Sequence, residues 1–183
     1  DTSVTLAGGA STDITVNVVV PTDALAGAMD TATITATSTT DPLATADAVV
    51  NSYANTVYDI TLTPATDAAT DIPGAVVTYT LTLANLGNTE DTITVAASGN
   101  LWEVNLPETS FVVPVGGTAE VTVEVTIPAD ALNNDFDVVT ITATSEGGME
   151  VTSELTTTAF VEGVYYYTYM PLVVRLVPLG VLP

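Results

Sequence analysis

The chain has 183 residues and contains no cysteine, no histidine and no lysine, with Arg175 its one basic side chain. Each absence excludes something. Without cysteine there is no disulfide framework and no thiolate metal site. Without a basic surface there is no means of displacing counterions from a nucleic-acid backbone, and an anionic membrane surface repels the chain. Acyl or phosphoryl transfer usually draws on His, Lys, Cys or a bound metal, and all three side chains are missing. The expectation is therefore a protein that is not an enzyme. Long helical patterns are lacking too; the most helix-like stretch, Pro128 to Leu132, makes one turn at most. The apolar run Val164 to Pro183 is interrupted by Pro171, Arg175 and Pro178 and makes a poor transmembrane helix.

What remains is rich in Thr, Val, Ala and acid. β-Branched side chains are stiff and pack well on a pleated surface, so this composition favours strands. The 22 Asp and Glu residues give a net charge of −21 at pH 7, which keeps a surface soluble and attracts divalent cations. A lysine-free acidic chain suits an exposed extracellular setting, and the expected location is secreted or cell-surface. No secretory leader opens the sequence, which reads as a mature or trimmed chain.

Self-similarity organises the rest. At an offset of 107 positions, Asp1 falls on Glu108 and the two stretches run on without a gap. Gly9 meets Gly116, Pro21 meets Pro128, and Asp23-Ala24-Leu25 meets Asp130-Ala131-Leu132. Thr33 through Ser38 is identical to Thr140 through Ser145. The offset continues at the other end, where Val57-Tyr58 falls on Val164-Tyr165 and Pro64 on Pro171. The implied domains are 1–56, the back half of a repeat; 57–163, a complete repeat; and 164–183, an apolar segment matching the opening of a third.

Within 57–163 the period is two. Val77, Tyr79, Leu81 and Leu83 alternate with threonines, as do Ile93 and Val95. Trp102, Val104 and Leu106, then Val121 to Ile127, then Val139 to Ala143 repeat the pattern. One face is apolar and the other is Thr or acid, as for strands packed on one side. Pro73-Gly74, Asn85 to Asn88, Ser98 to Asn100, Gly116-Gly117, Asn133-Asn134 and Gly147-Gly148 separate the strands. About seven strands in a repeat of this length make a two-sheet sandwich. The fold class expected is all-β, with tandem immunoglobulin-like β-sandwich repeats, the first incomplete. Thr12 to Val20 and Thr31 to Ser38 are the strands expected in the front part.

The turn Asn85-Leu86-Gly87-Asn88, Trp102 ahead of a mid-domain strand, the turn Pro114 to Gly117, and the corner Pro128 to Ala131 together resemble the NEW3/CARDB/DUF11-like group. These are bacterial and archaeal immunoglobulin-like surface repeats. The likeness extends over 57–160 and, in part, over 1–56. It implies a sandwich fold and a secreted, array-like context. No catalytic or ligand-binding residues come with it.

No cofactor is expected. Calcium is the one metal to weigh, since Asn133, Asn134, Asp135 and Asp137 share a turn and Asp67 and Asp71 lie in another. Ala26, Gly27 and Ala28 stand at the positions matching Asn133 to Asp135, so a site common to both repeats is not expected and turn formation accounts for these residues. Trp102 reads as a core anchor between sheets rather than a sugar platform. Tyr165, Tyr166, Tyr167 and Tyr169 follow one another on a strand, so they cannot all face one interior.

A half sandwich cannot bury its apolar faces or pair its edges alone. The tail carries Leu172, Val173, Val174, Leu176, Val177, Leu179, Val181 and Leu182, together worth on the order of 10 kcal/mol gross if buried. The expected function is a structural subunit of an extracellular filament. In it the C-terminal strand of one copy completes the N-terminal domain of the next. The expected interface residues are Tyr165, Tyr167, Tyr169, Leu172, Val174, Leu176, Leu179 and Val181, and the partners are copies of the same chain. A surface-layer or adhesin stalk, and a spacer or glycan-binding module of a secreted hydrolase, are the other two readings.

Overall fold

A computed structural model describes residues 3–161. Eleven strands and no helix are found among them: β1 (Met29–Thr37), β2 (Thr45–Tyr53), β3 (Ile60–Thr63), β4 (Thr66–Asp71), β5 (Val76–Asn85), β6 (Asp91–Ser98), β7 (Glu103–Asn105), β8 (Ser110–Val113), β9 (Thr118–Thr126), β10 (Phe136–Thr144) and β11 (Glu150–Ala159).

Strands β3 to β11 form two facing sheets, ordered β4-β11-β10-β6-β8 and β3-β5-β9-β7. All neighbours are antiparallel except β4, which runs parallel to β11 with Glu154 opposite Thr66 and Ala159 opposite Asp71. The chain crosses between sheets after β3, where Ser153 Oγ donates to Pro64 O and Glu154 N to Ala65 O. The core is the apolar set picked out by the period-two pattern: Val77, Tyr79, Leu81 and Leu83 on β5, Ile93 and Val95 on β6, Val121, Val123 and Val125 on β9, and Val139, Ile141 and Ala143 on β10. This is an all-β, immunoglobulin-like sandwich, held by burial of one face of each strand.

Two details differ from expectation. Trp102 is only half buried, because it precedes β7 at a sheet edge and covers the rim of the core instead of its centre. Nine strands are present rather than about seven, since β4 is a polar edge strand and the inward face of β11 includes Ser153 and Thr157. Neither strand carries the apolar alternation that marks the others.

The front part holds one hairpin, β1 with β2, paired from Met29 opposite Tyr53 to Thr37 opposite Thr45. Its geometry recurs in the sandwich. Ala10 N donates to Ala7 O, as Gly117 N does to Pro114 O; Ala24 N donates to Pro21 O, as Ala131 N does to Pro128 O. Gly27 N donates to Ala54 O and Ala54 N to Ala28 O, each at 2.9 Å; Asn134 N and Ala159 N repeat the pair with Ala159 O and Asp135 O. Gly27 and Asn134 are both left-handed, with φ of 77° and 69°. The offset is 107 through β1 and 105 from β2 to Asn55, because the loop between β1 and β2 is two residues longer than that between β10 and β11, and it is 107 again from Val57.

The expected strand Thr12 to Val20 is not part of any sheet. Its match, β9, is bonded to β5 on one side and β7 on the other, whereas no strand of the described residues flanks the front segment. A strand without a ladder partner leaves its backbone groups to water. Ile14, Val16, Val18 and Val20 are consequently 38–57% exposed where Val121, Val123, Val125 and Ile127 are sealed.

Candidate functional site

The turn from Asn85 to Asn88 joins the front part to the sandwich. Asn85 ends β5, is 1% exposed, and points inward. Its Nδ2 donates to Thr89 O at 2.8 Å and Val113 O at 2.9 Å, and its Oδ1 accepts from Gly87 N at 2.9 Å. Its backbone donates to Gly117 O and accepts from Gly116 N. Asn85 thereby locks the turn onto the Pro114 to Gly117 turn beside it. Leu86 N and Gly87 N both donate to Asp59 O, which holds the turn against the segment entering β3. Gly87 has to be glycine, since a Cβ there would collide with the carbonyl oxygen of Val57.

Asn88 uses the geometry thus fixed. Its Nδ2 donates to Ala24 O at 3.1 Å and Asn55 O at 2.9 Å, while Oδ1 accepts from Val57 N at 2.8 Å. Its backbone N donates to Val57 O at 3.1 Å and its O accepts from Ala26 N at 3.0 Å. Every polar atom of this asparagine is spent on the linker or on the corner Pro21 to Ala28. Only an amide side chain supplies two donors and an acceptor in that plane.

Beyond this junction lies a cleft of about 280 Å³ within the front part, lined by Val18, Val20, Ala24, Met29, Ser52 and Ala54 among others. In the sandwich, Thr157 matches Ser52 and receives Tyr79, whose hydroxyl lies 2.8 Å from Thr156 O and from Thr157 Oγ1. Burial raises the Tyr79 phenol above its ordinary value; the Thr157 hydrogen bond opposes this. The front cleft has the walls of that packing, and no strand of the described residues fills it.

The acids weighed for calcium have other occupations. Asp67 and Asp71 each accept from the next backbone N–H, Asp135 from Leu132 N, and Asn133 Oδ1 from Val161 N. Asp137 is buried and takes Leu101 N and Trp102 N. Asp91, also buried, accepts from Ser145 Oγ at 2.6 Å and Glu146 N at 3.0 Å. Among the described residues, no three His, Cys, Asp or Glu side chains gather as metal ligands. No described helix is long and apolar enough to cross a membrane. The expected interface residues Tyr165, Tyr167, Tyr169, Leu172, Val174, Leu176, Leu179 and Val181 lie outside the described residues. The sequence pattern singled out the turn Asn85 to Asn88 but not the junction it makes; the contacts to Ala24 and Asn55 are too distant in sequence to read.

The class these features define is an immunoglobulin-like sandwich, preceded here by a two-stranded hairpin. A family model described as "IG-like fold at C-terminal of FixG" matches residues 77–161, from β5 to just past β11 and under half of the chain. No curated protein matches. Among solved structures, the chain is similar to a PapD-like domain of human CEP192 (11% identity, TM-score 0.45, 55% of this chain and 84% of that one). It is also similar to a FixG-related protein from Vibrio parahaemolyticus (12%, 0.42, 58% and 97%). A third is a protein of unknown function from Porphyromonas gingivalis W83 (11%, 0.44, 72% and 66%). Likenesses this distant say nothing of activity or partners.

Proposed function

We propose that this chain is a non-catalytic, extracellular scaffold module, built of end-to-end immunoglobulin-like repeats of the surface-repeat kind that the turn and corner motifs resemble. Residues 1–56 are on this reading the back half of a repeat and 57–163 a whole one. The observation that carries it is the recurrence of the front turns and hairpin in the sandwich, at offsets of 107 and then 105, while among the described residues no strand flanks the front hairpin as β4 and β6 flank its counterpart.

Such a half invites completion. Residues 173–178 match β4, so in the filament reading this stretch of one copy lies parallel to β2 of the next, with Val173 opposite Val49. Transmission electron microscopy of the intact chain and of a chain lacking 164–183 tests this. Filaments only in the first are expected; filaments in both sink strand donation.

One observation favours the stalk reading, in which repeats follow along a single polypeptide. The Asn88 junction is made between consecutive segments of one chain, and 164–183 supplies no match for β5 or β6. Both readings share the half-filled front repeat.

A further inference from the structure

The corner that Asn88 grips has a counterpart at the far end of the sandwich. Ala24 matches Ala131, Ala26 matches Asn133, and Asn55, beyond the hairpin, matches Phe160. The two corners share their internal hydrogen bonds: Ala28 N to Leu25 O and Asp135 N to Leu132 O are both 3.0 Å. At the front corner, Ala24 O, Ala26 N and Asn55 O are all taken by Asn88. At the far corner, Ala131 O, Asn133 N and Phe160 O have no hydrogen-bond partner among the described residues, and Asn133 and Phe160 are exposed there.

We propose that this far corner, Ala131 to Asn133 with Phe160, is the docking socket for the Asn-x-Gly-Asn turn of a following immunoglobulin-like repeat in the same polypeptide. The chain itself shows the occupied state once, at Asn88. A second copy is the poorer occupant, because its own Asn88 is already spent on its own Ala24, Ala26 and Asn55. The occupant must offer two amide donors for the carbonyls of Ala131 and Phe160 and a backbone carbonyl for the N–H of Asn133. Its glycine, like Gly87, lets the linker pass beneath the turn. Fixing the sandwich at both ends this way sets the angle between successive repeats and makes the array stiff.

The inference rests on the repeat reading, and the experiment separates the two. Residues 77–163 are appended after Pro183, which keeps the period, and backbone amide exchange is followed by NMR in the natural and extended chains. The Asn133 amide is expected to slow by about tenfold or more in the extended chain. Replacing the asparagine of the added copy that matches Asn88 by alanine is expected to return it to the natural rate. Replacing it by aspartate, which keeps the acceptor and removes both donors, should do the same if the alanine form does not fold. An unchanged Asn133 rate, with Ala26 slow in both chains, overturns the socket and leaves the repeat reading standing. A fast Ala26 in the natural chain overturns the front junction, and with it both. An added copy that stays unfolded also overturns the socket, since an in-phase repeat must fold to dock.

Discussion

Asp137 and Asp30 occupy matching positions on β10 and β1, and of the two only the Asp137 carboxylate accepts hydrogen bonds among the described residues. The Asp137 carboxylate is buried and receives the backbone N–H groups of Leu101 and Trp102 at 3.0–3.1 Å. Asp30 is exposed and beside the front cleft. Asp137→Ala should therefore destabilise the sandwich by about 2–4 kcal/mol, because two N–H donors lose a charged acceptor. Asp30→Ala should change stability by less than about 0.5 kcal/mol. Urea titrations of both variants, followed by Trp102 fluorescence, check the contrast; equal losses would mean that the front carboxylate already holds a loop.

Gly87→Ala should weaken the junction. The added methyl meets the Val57 carbonyl, a backbone atom held by Asn88 N, so the turn or the linker must shift. A loss of about 1–3 kcal/mol is expected, with faster exchange at the Val57 and Ala26 amides. Thermal unfolding and NMR exchange measure it. Unaltered exchange at both amides would show that the turn does not hold the front part.

Alkaline pH should weaken the sandwich through Tyr79. Burial raises this phenol above its ordinary 10.0, so the unfolded chain ionises first as pH rises. Stability is full below pH 10.0 and falls above it until the folded-state value is passed. Tyr79→Phe should remove that slope while costing about 1–2 kcal/mol at neutral pH for the lost hydroxyl contacts. Denaturant midpoints taken from neutral to strongly alkaline pH, for both proteins, decide this. A Phe variant with the parent slope would shift the cause to the other tyrosines.

Salt should promote association of the chain with itself. Two copies of net charge −21 repel, and ions shrink the range of that repulsion to about 8 Å at physiological strength. Sedimentation velocity across a salt series should show larger species at higher salt; dissociation on adding salt would contradict an apolar, strand-mediated contact.

Much of the sandwich was legible in the sequence because its strands bury one face. The alternation through Val77 to Leu83 and Val121 to Ile127 marks strand, core face and register together. What escaped was structure without that signal: β4, a polar edge, and β11, whose buried face mixes Leu155 with Ser153 and Thr157. The segment Thr12 to Val20 erred the other way. Its alternation is as good as that of β9, yet a ladder needs a second strand, and pairing is a tertiary property that no local pattern carries. For the junction, the sequence displayed the turn Asn85 to Asn88 but not which carbonyls its amide reaches.

The claim at the centre is that residues 1–56 are the back half of a repeat whose front half would pair with β2. Glu154 N, on the outer side of β11, and Phe160 N, just past it, donate to Ala65 O and Asp71 O around β4, and their matches are Val49 within β2 and Asn55 just beyond it. Placing residues 57–107 ahead of Asp1 supplies the missing half in phase. Amide exchange at Val49 and Asn55 should then slow by about a hundredfold as a β4-like strand pairs with β2. Rates identical with and without the added half would contradict the account.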